Sequence, residues 1–209
     1  AGRLSVLADG ESTEAPRRDK ILKAANPKSV ALKYKDMLGM KRPERSALVR
    51  GMDVVYIYHD TIDEAGHSGR SVFTACGEAI EEIKNMVRII TGEFSGTRIL
   101  ITADHGFLYT FNPLREDDKV DKITKSSQDV DIARRYVIAA PEYLLPVKFL
   151  DGDTEYDAFA PRGNLRIKMK GGGLNFVHGG ISLQEMVVPL IDYRYLRNDS
   201  KEYKKNKAR

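Results

Sequence analysis

From Val72 to Ile90 apolar residues return every three or four positions: Val72, Phe73, Cys76, Ala79, Ile80, Ile83, Met86, Val87 and Ile90. Glu78, Glu81, Glu82 and Lys84 fall on the opposite side, so Ser71–Ile90 is predicted to be an amphipathic helix, with Gly92 as its stop. Two unbroken β-branched and aromatic runs flank it, Val54–His59 and Arg98–Ala103, and each reads as a buried strand. Strand, helix, strand with short links predicts a βαβ unit, hence a parallel pair joined by a right-handed crossover.

The rest of the chain is patterned more weakly. Leu4–Leu7 reads as a short strand closed by the turn signal Asp9-Gly10, and Arg17–Ala25 as a helix ending before Asn26-Pro27. Val30–Met37 fits a strand or a helix, and Pro43–Val49 a short helix with Pro43 in its first turn. From Arg115 to Asp131 periodicity dissolves into mixed charge, which predicts a surface excursion. Arg135–Ala139 and Arg166–Met169 read as further strands. After Gly171-Gly172-Gly173, Ser182–Met186 is expected to make one helical turn with Ser182 and Glu185 spaced as a capping box, and Val187–Tyr195 a last apolar strand.

Composition narrows the class. A chain of 209 residues with 42% hydrophobic and 31% charged positions is long enough for one sizeable globular domain. No apolar run approaches the roughly 18 residues of a membrane span, so no membrane partner is expected. The formal charge of +4 is carried by the end of the chain, where five basic residues meet one acid between Lys201 and Arg209. We read 199–209 as a basic, disordered tail and 1–198 as the domain. The single cysteine, Cys76, falls at helical spacing among apolar residues, which marks a structural thiol and fits a reducing, cytoplasmic compartment. The chain opens Ala1-Gly2-Arg3 without an initiator Met or a signal-peptide core, as expected of a piece of a longer protein.

Chemistry concentrates where the confident strands end. Val54–Tyr58 leads into His59-Asp60 and then Asp63-Glu64-Ala65-Gly66-His67; Ile99-Leu100-Ile101 leads into Thr102-Ala103-Asp104-His105-Gly106. In open α/β sheets, sites form beyond the carboxyl ends of strands. Asp63 and His67, four apart, point the same way on a helical turn and can grip one ion. Asp104 and His105 are adjacent and converge only if the backbone bends, which Gly106 permits. His178, before Gly179-Gly180, can supply a further imidazole. His59 is read instead as a satisfied hydrogen-bonding histidine. Nitrogen and carboxylate donors without thiolate suit Zn2+, Mn2+ or a related ion.

These motifs also carry a resemblance. Asp63-x-x-x-His67, Asp104-His105-Gly106 and His178 before a Val187-Val188-Pro189 strand resemble the second half of the alkaline phosphatase superfamily core. Within it, the stretches 55–63, 101–109 and 176–189 resemble the PglZ proteins of bacterial phage-exclusion (BREX) systems, and 9–13 and 17–22 resemble the stretch before the first strand. One departure is His67, where many relatives carry Asp.

The resemblance implies a three-layer α/β/α sandwich around a largely parallel sheet, and two divalent metal ions, Zn2+ or Mn2+, gripping a phosphoryl group. Asp63, His67 and His178 would hold one ion. Asp104 and His105 would hold the other, together with an upstream Asp and a Ser or Thr nucleophile. Nothing between Ala1 and Asp53 offers an apolar strand ending in Asp followed by a Ser or Thr at a helix start, so this chain reads as the C-terminal portion of the phosphatase domain. It is expected to hold at most one ion firmly and to be catalytically silent by itself. The implied partners are a phosphoester of open type, nucleic acid or nucleotide among the choices, and other defence-system proteins. A scaffold role in a defence complex, with hydrolysis dispensable, is the alternative.

Overall fold

The computed structural model describes residues 7–14, 17–121, 131–139, 147–150, 157–170, 175–196, 201 and 204–205. The chain folds as two compact units. One, here the α/β unit, comprises 5–63, 72–101 and 190–209; the other, the loop unit, comprises 1–4, 64–71 and 102–189. The basic end from 199 lies almost wholly outside the described residues.

In the α/β unit, β1 (Leu7–Ala8) and β2 (Glu11–Ser12) form a hairpin about Asp9-Gly10, with φ of 50° and 80° at its two turn residues. α1 (Arg18–Ala25) ends before the predicted Asn-Pro stop. The ambiguous stretch after it does both things: β3 (Ser29–Lys33) runs straight into α2 (Tyr34–Gly39). α3 (Arg42–Val49) follows, with Pro43 where its missing N–H costs nothing. β4 (Val54–Tyr58) lies parallel to β3, paired from Ser29 with Val54 to Lys33 with Tyr58.

α4 (Thr61–Ser68) comes next, then α5 (Val72–Gly92), the longest helix at 21 residues. α5 buries Val72, Ala75, Ala79, Met86 and Ile89. Met86 and Ile89 pack on Tyr34 and Met37 of α2, with Ile57, Ile90 and Phe94 around them. Complete burial of each such side chain stabilises the fold by about 1.5–3 kcal/mol. Among the described residues no helix is long and apolar enough to cross a membrane.

The expected βαβ unit is corrected in its pairing. β5 (Arg98–Thr102) does not take β4 as its ladder partner; it pairs with β14 (Leu190–Arg194), and β4 pairs with β3. The parallel crossover therefore runs through α2 and α3. Arg98 grips Asp192 with two hydrogen bonds of 3.1 Å, and the Tyr195 amide donates to the Thr97 carbonyl at 2.9 Å. Every residue of β14 is exposed, Leu190 and Ile191 among them.

The loop unit is built from shorter pieces. β6 (Leu108–Tyr109) pairs antiparallel with β13 (Phe176–Val177). β7 (Lys119–Val120) pairs parallel with β12 (Arg166–Ile167), so the charged stretch read as a surface excursion contains a ladder strand after a 3-10 turn at Glu116–Asp118. β8 (Asp131–Ile132), β9 (Val137–Ala139), β10 (Val147–Leu150) and β11 (Asp157–Ala160) form a four-stranded antiparallel sheet in the order β10-β11-β9-β8. Two of the described ladders are parallel, β3–β4 and β7–β12. Val137, Ala139, Phe159 and Ile167 form the core here, with Val120 and Ile132 against them. α6 (Leu183–Met186) is the predicted single turn; Glu185 accepts from the Ser182 backbone amide, the N3 half of a capping box, and also from the Ser182 hydroxyl.

Candidate metal centre

One continuous helix, α4, carries both Asp63 and His67. Four residues advance an α-helix by little more than one turn, which stacks these two side chains on one face. His67 then meets His178, which follows β13: their Nε2 atoms are 3.5 Å apart. Ligand atoms of Asp63, His67 and His178 all lie within 4.8 Å of one another.

The donor set fits a divalent ion. Two imidazole nitrogens on a tetrahedral Zn2+, each about 2.0–2.1 Å from it, would stand about 3.3 Å apart, close to the observed 3.5 Å. On a bound zinc, two nitrogens and a carboxylate oxygen would make three protein ligands, the count of an open site rather than a closed structural one.

Close packing aims these rings. A Cβ on Gly66 would overlap the Phe176 ring, so glycine lets α4 approach β13 at this point. Phe176 also touches His67 edge-on, with ring centroids 5.7 Å apart, and leans on Phe107 at 4.9 Å. An apolar wall thus fixes one side of the His67 imidazole while its outer nitrogen faces His178.

Asp104 and His105 follow β5, as their sequence position predicts, but neither joins the three-residue ligand cluster. The His105 ring lies face to face on His178, with centroids 4.1 Å apart and planes 7° from parallel. Its Nδ1 is 3.0 Å from the Gly106 carbonyl oxygen. Asp104 is largely exposed, accepting from the His105 amide at 3.1 Å. Gly106 does not adopt positive φ, so its glycine is not explained by the bend expected of it. Close approach explains it: the Gly106 amide donates to the Glu185 carbonyl at 2.8 Å, and a Cβ would strike the Gln184 carbonyl oxygen.

His59 belongs to a different arrangement. Its Nε2 lies 2.6 Å from Glu82 Oε2, and Thr61 Oγ1 donates to the same oxygen at 2.6 Å. Burial pushes the Glu82 carboxyl up, but these two partners outweigh it and hold it below the usual carboxylate range. This ties the first turn of α4 to α5 and makes His59 the hydrogen-bonding residue that the sequence suggests.

No sequence pattern singles out Arg135, which lies beneath the loops. It is fully buried, and its guanidinium grips Glu185 through Nε–Oε1 at 2.9 Å and Nη2–Oε2 at 2.8 Å. The Ser182/Glu185 spacing points to Glu185, but only as a local cap.

Asp63, His67 and His178, with the Asp104-His105-Gly106 turn beside them, make up the candidate metal centre. The family model described as "BREX system PglZ alkaline phosphatase-like domain" matches residues 2–193, and the chain belongs to that family. It is 38% identical over 208 residues to the alkaline phosphatase-like protein BrxZ of Escherichia coli O9:H4 (strain HS), covering 94% of this chain and 24% of that protein. It is 33% identical over 213 residues to the alkaline phosphatase-like protein PglZ of Bacillus cereus (strain H3081.97), covering 96% of this chain and 24% of that protein. The chain thus spans about a quarter of the length of the curated relatives it matches. No solved structure matches it. The family implies an α/β fold and a phosphatase-like class.

Proposed function

We propose that these residues form part of the metal site of a phosphoester hydrolase acting in a bacterial phage-defence system. Asp63, His67 and His178 hold one divalent ion, Zn2+ or Mn2+, while Asp104 and His105 form half of a second site. The observation that carries the reading is the convergence of the three ligand atoms within 4.8 Å. The reading places the nucleophile outside these residues, and the relatives' fourfold greater length supports it.

When bound, such an ion polarises a phosphoryl oxygen and lowers the pKa of the attacking group. The chain's own part is to present and aim the donors. Asp63 supplies charge, which lowers the cost of bringing a dication out of water. His67, fixed by Phe176, and His178, backed by the His105 ring, present ring nitrogens. Three protein ligands would leave one position of a tetrahedral ion for a phosphoester oxygen. The substrate belongs to the whole protein, in a cytoplasmic setting with other defence proteins as partners.

Calorimetric titration with Zn2+ or Mn2+ tests the site. One tight ion is expected, lost in His178→Ala, with a second binding only at high metal. Two equally tight ions would contradict the division into one complete and one half site. Assayed with phosphomonoesters and phosphodiesters at saturating metal, the chain should be silent. Robust turnover abolished by His178→Ala would put the nucleophile within these residues.

A further inference from the structure

We propose that the buried Arg135–Glu185 pair is the positioning element that aims His178 and His105, so that metal affinity depends on a carboxylate that is not itself a ligand. The inference rests on the metal reading above and extends it to residues outside the ligand set.

The Glu185 carboxylate is saturated. Oε1 accepts from Arg135 Nε at 2.9 Å and from the Gly180 amide at 3.0 Å. Oε2 accepts from Arg135 Nη2 at 2.8 Å, from Ser182 Oγ at 2.6 Å and from the Ser182 amide at 3.3 Å. The backbone carbonyl of the same residue takes the Gly106 amide at 2.8 Å. One residue therefore fixes both loops: Gly180 lies two positions after His178, and Gly106 one position after His105. Arg135 anchors the assembly from below, donating to the carbonyls of Leu165 and, at 2.8 Å, Gly163.

Two features go beyond a structural ion pair. Buried ion pairs add little net stability over well-packed apolar residues, so stability alone does not call for one here. The loops are also pressed onto the pair too closely for side chains: a Cβ on Gly180 would stand 2.7 Å from Glu185 Oε2 and 2.8 Å from Arg135 Nε. The face-to-face stacking of His105 on His178 at 4.1 Å follows from tying both loops to one residue. Groups that orient metal ligands from behind typically alter metal affinity 10- to 100-fold when changed.

The test compares the parent chain with Glu185→Gln, which keeps the shape but removes the charge. Zn2+ affinity by calorimetry should fall about tenfold or more, although no ligand has been touched. Amide hydrogen exchange by NMR supplies the second readout. In the parent, the Gly106 and Gly180 amides should be protected. In Glu185→Gln both should lose protection, including Gly106, whose bond runs to the backbone and would be untouched by a purely local role of the carboxylate. If Glu185→Gln does not fold, Arg135→Lys, which keeps the charge but loses the two-pronged grip, carries the same comparison. Unprotected Gly106 and Gly180 amides in the folded parent overturn the proposal whatever the variants do. Parent-like affinity and exchange in Glu185→Gln overturn it too. His178→Ala separates the two readings: it should abolish Zn2+ binding and leave Gly106 protected. A parent that binds no Zn2+ sinks the metal reading and this inference together. Zn2+ binding lost in His178→Ala but unchanged in Glu185→Gln sinks only the inference.

Discussion

The α/β unit and the loop unit each keep their fold by different means. In the α/β unit, five-residue strands and a 21-residue helix bury an apolar cluster of Tyr34, Met37, Met86 and Ile89. In the loop unit, strands of two to four residues surround Val137, Ala139, Phe159 and Ile167, yet Arg135, Arg166 and Glu185 are among its most completely buried side chains. Burial pushes the pKa of Arg166 down, and Arg135 nearby adds to the shift. An apolar cluster tolerates small changes of shape with graded losses. A buried charge network has few intermediate states, because removing one member strands the others. Both histidine loops are tied to the network, so the unit that carries them is also the one most exposed to a single change of charge.

The largest effect should follow from breaking that network on one side. Arg135→Met leaves the Glu185 carboxylate buried without its cation, a change that costs about 3–5 kcal/mol. Hydrogen exchange with mass spectrometry should show protection lost across 131–139 and 175–189, while α5 keeps its own. The paired change Arg135→Met with Glu185→Leu should recover most of the stability but not the Zn2+ affinity, since apolar contacts cannot hold the Gly180 amide. Full recovery of both would mean that the charges are dispensable to the site. In the α/β unit, Met37→Ala removes a fully buried side chain and should cost about 3 kcal/mol. Urea unfolding followed by far-UV circular dichroism would measure it.

The same contrast explains what could be read from the sequence. Nine apolar residues at helical period placed α5 to within two residues at its C-terminal end, and the runs at Val54 and Arg98 placed β4 and β5. Their partners were not legible. The ladder of β5 is completed by β14, about ninety residues away, and nothing in either strand encodes that choice over β4. Three strands of the four-stranded antiparallel sheet escaped altogether. Asp131–Ile132 is too short to show a period, and Asp157-Ala158-Phe159-Ala160 is buried at every position and so does not alternate. Lys119–Val120 was lost among charges that pair on the surface, where Lys119 and Lys168 draw the Glu116 carboxyl down to about 2. The pairing of Asp63 with His67 was readable because helix geometry sets it. The approach of His178 came from position and resemblance, and the dependence of both loops on Glu185 was invisible because Arg135 lies fifty positions from it.

Acid should act on the loop unit more gently than mutation. Burial raises the Glu185 pKa, but the hydrogen bonds from Arg135 and Ser182, and the Arg135 charge, outweigh it and leave the group below the usual carboxylate range. A carboxylate whose folded pKa is depressed stabilises the fold above its unfolded value, near 4.3. That contribution drains away as pH falls through the lower folded value. Stability measured by urea at stepped pH should therefore decline below about pH 4.3, and the slope should be shallower in Glu185→Gln. Identical acid slopes in the two chains would show that other carboxylates dominate.

The smallest effect is expected at the pair that looks best on geometry alone. Arg98 and Asp192 meet through two hydrogen bonds of 3.1 Å across the β5–β14 ladder, and Asp192 also lies 3.7 Å from Arg194. The Asp192 carboxyl is pulled below its ordinary range, first by the hydrogen bond from Arg98, which outweighs the opposing effect of burial, and further by the charges of Arg98 and Arg194. Yet the side chains remain 60% and 38% exposed, so water and salt screen the attraction and holding both chains in place costs entropy. Arg98→Ala should leave thermal and urea midpoints within measurement error at moderate salt, in contrast to Arg135→Met, which breaks an ion pair of the same two-pronged geometry. The difference is solvent. A destabilisation by Arg98→Ala as large as that of Arg135→Met would mean that this strand pair is buried in the molecule as it works, and that the exposure of β14 does not describe that state.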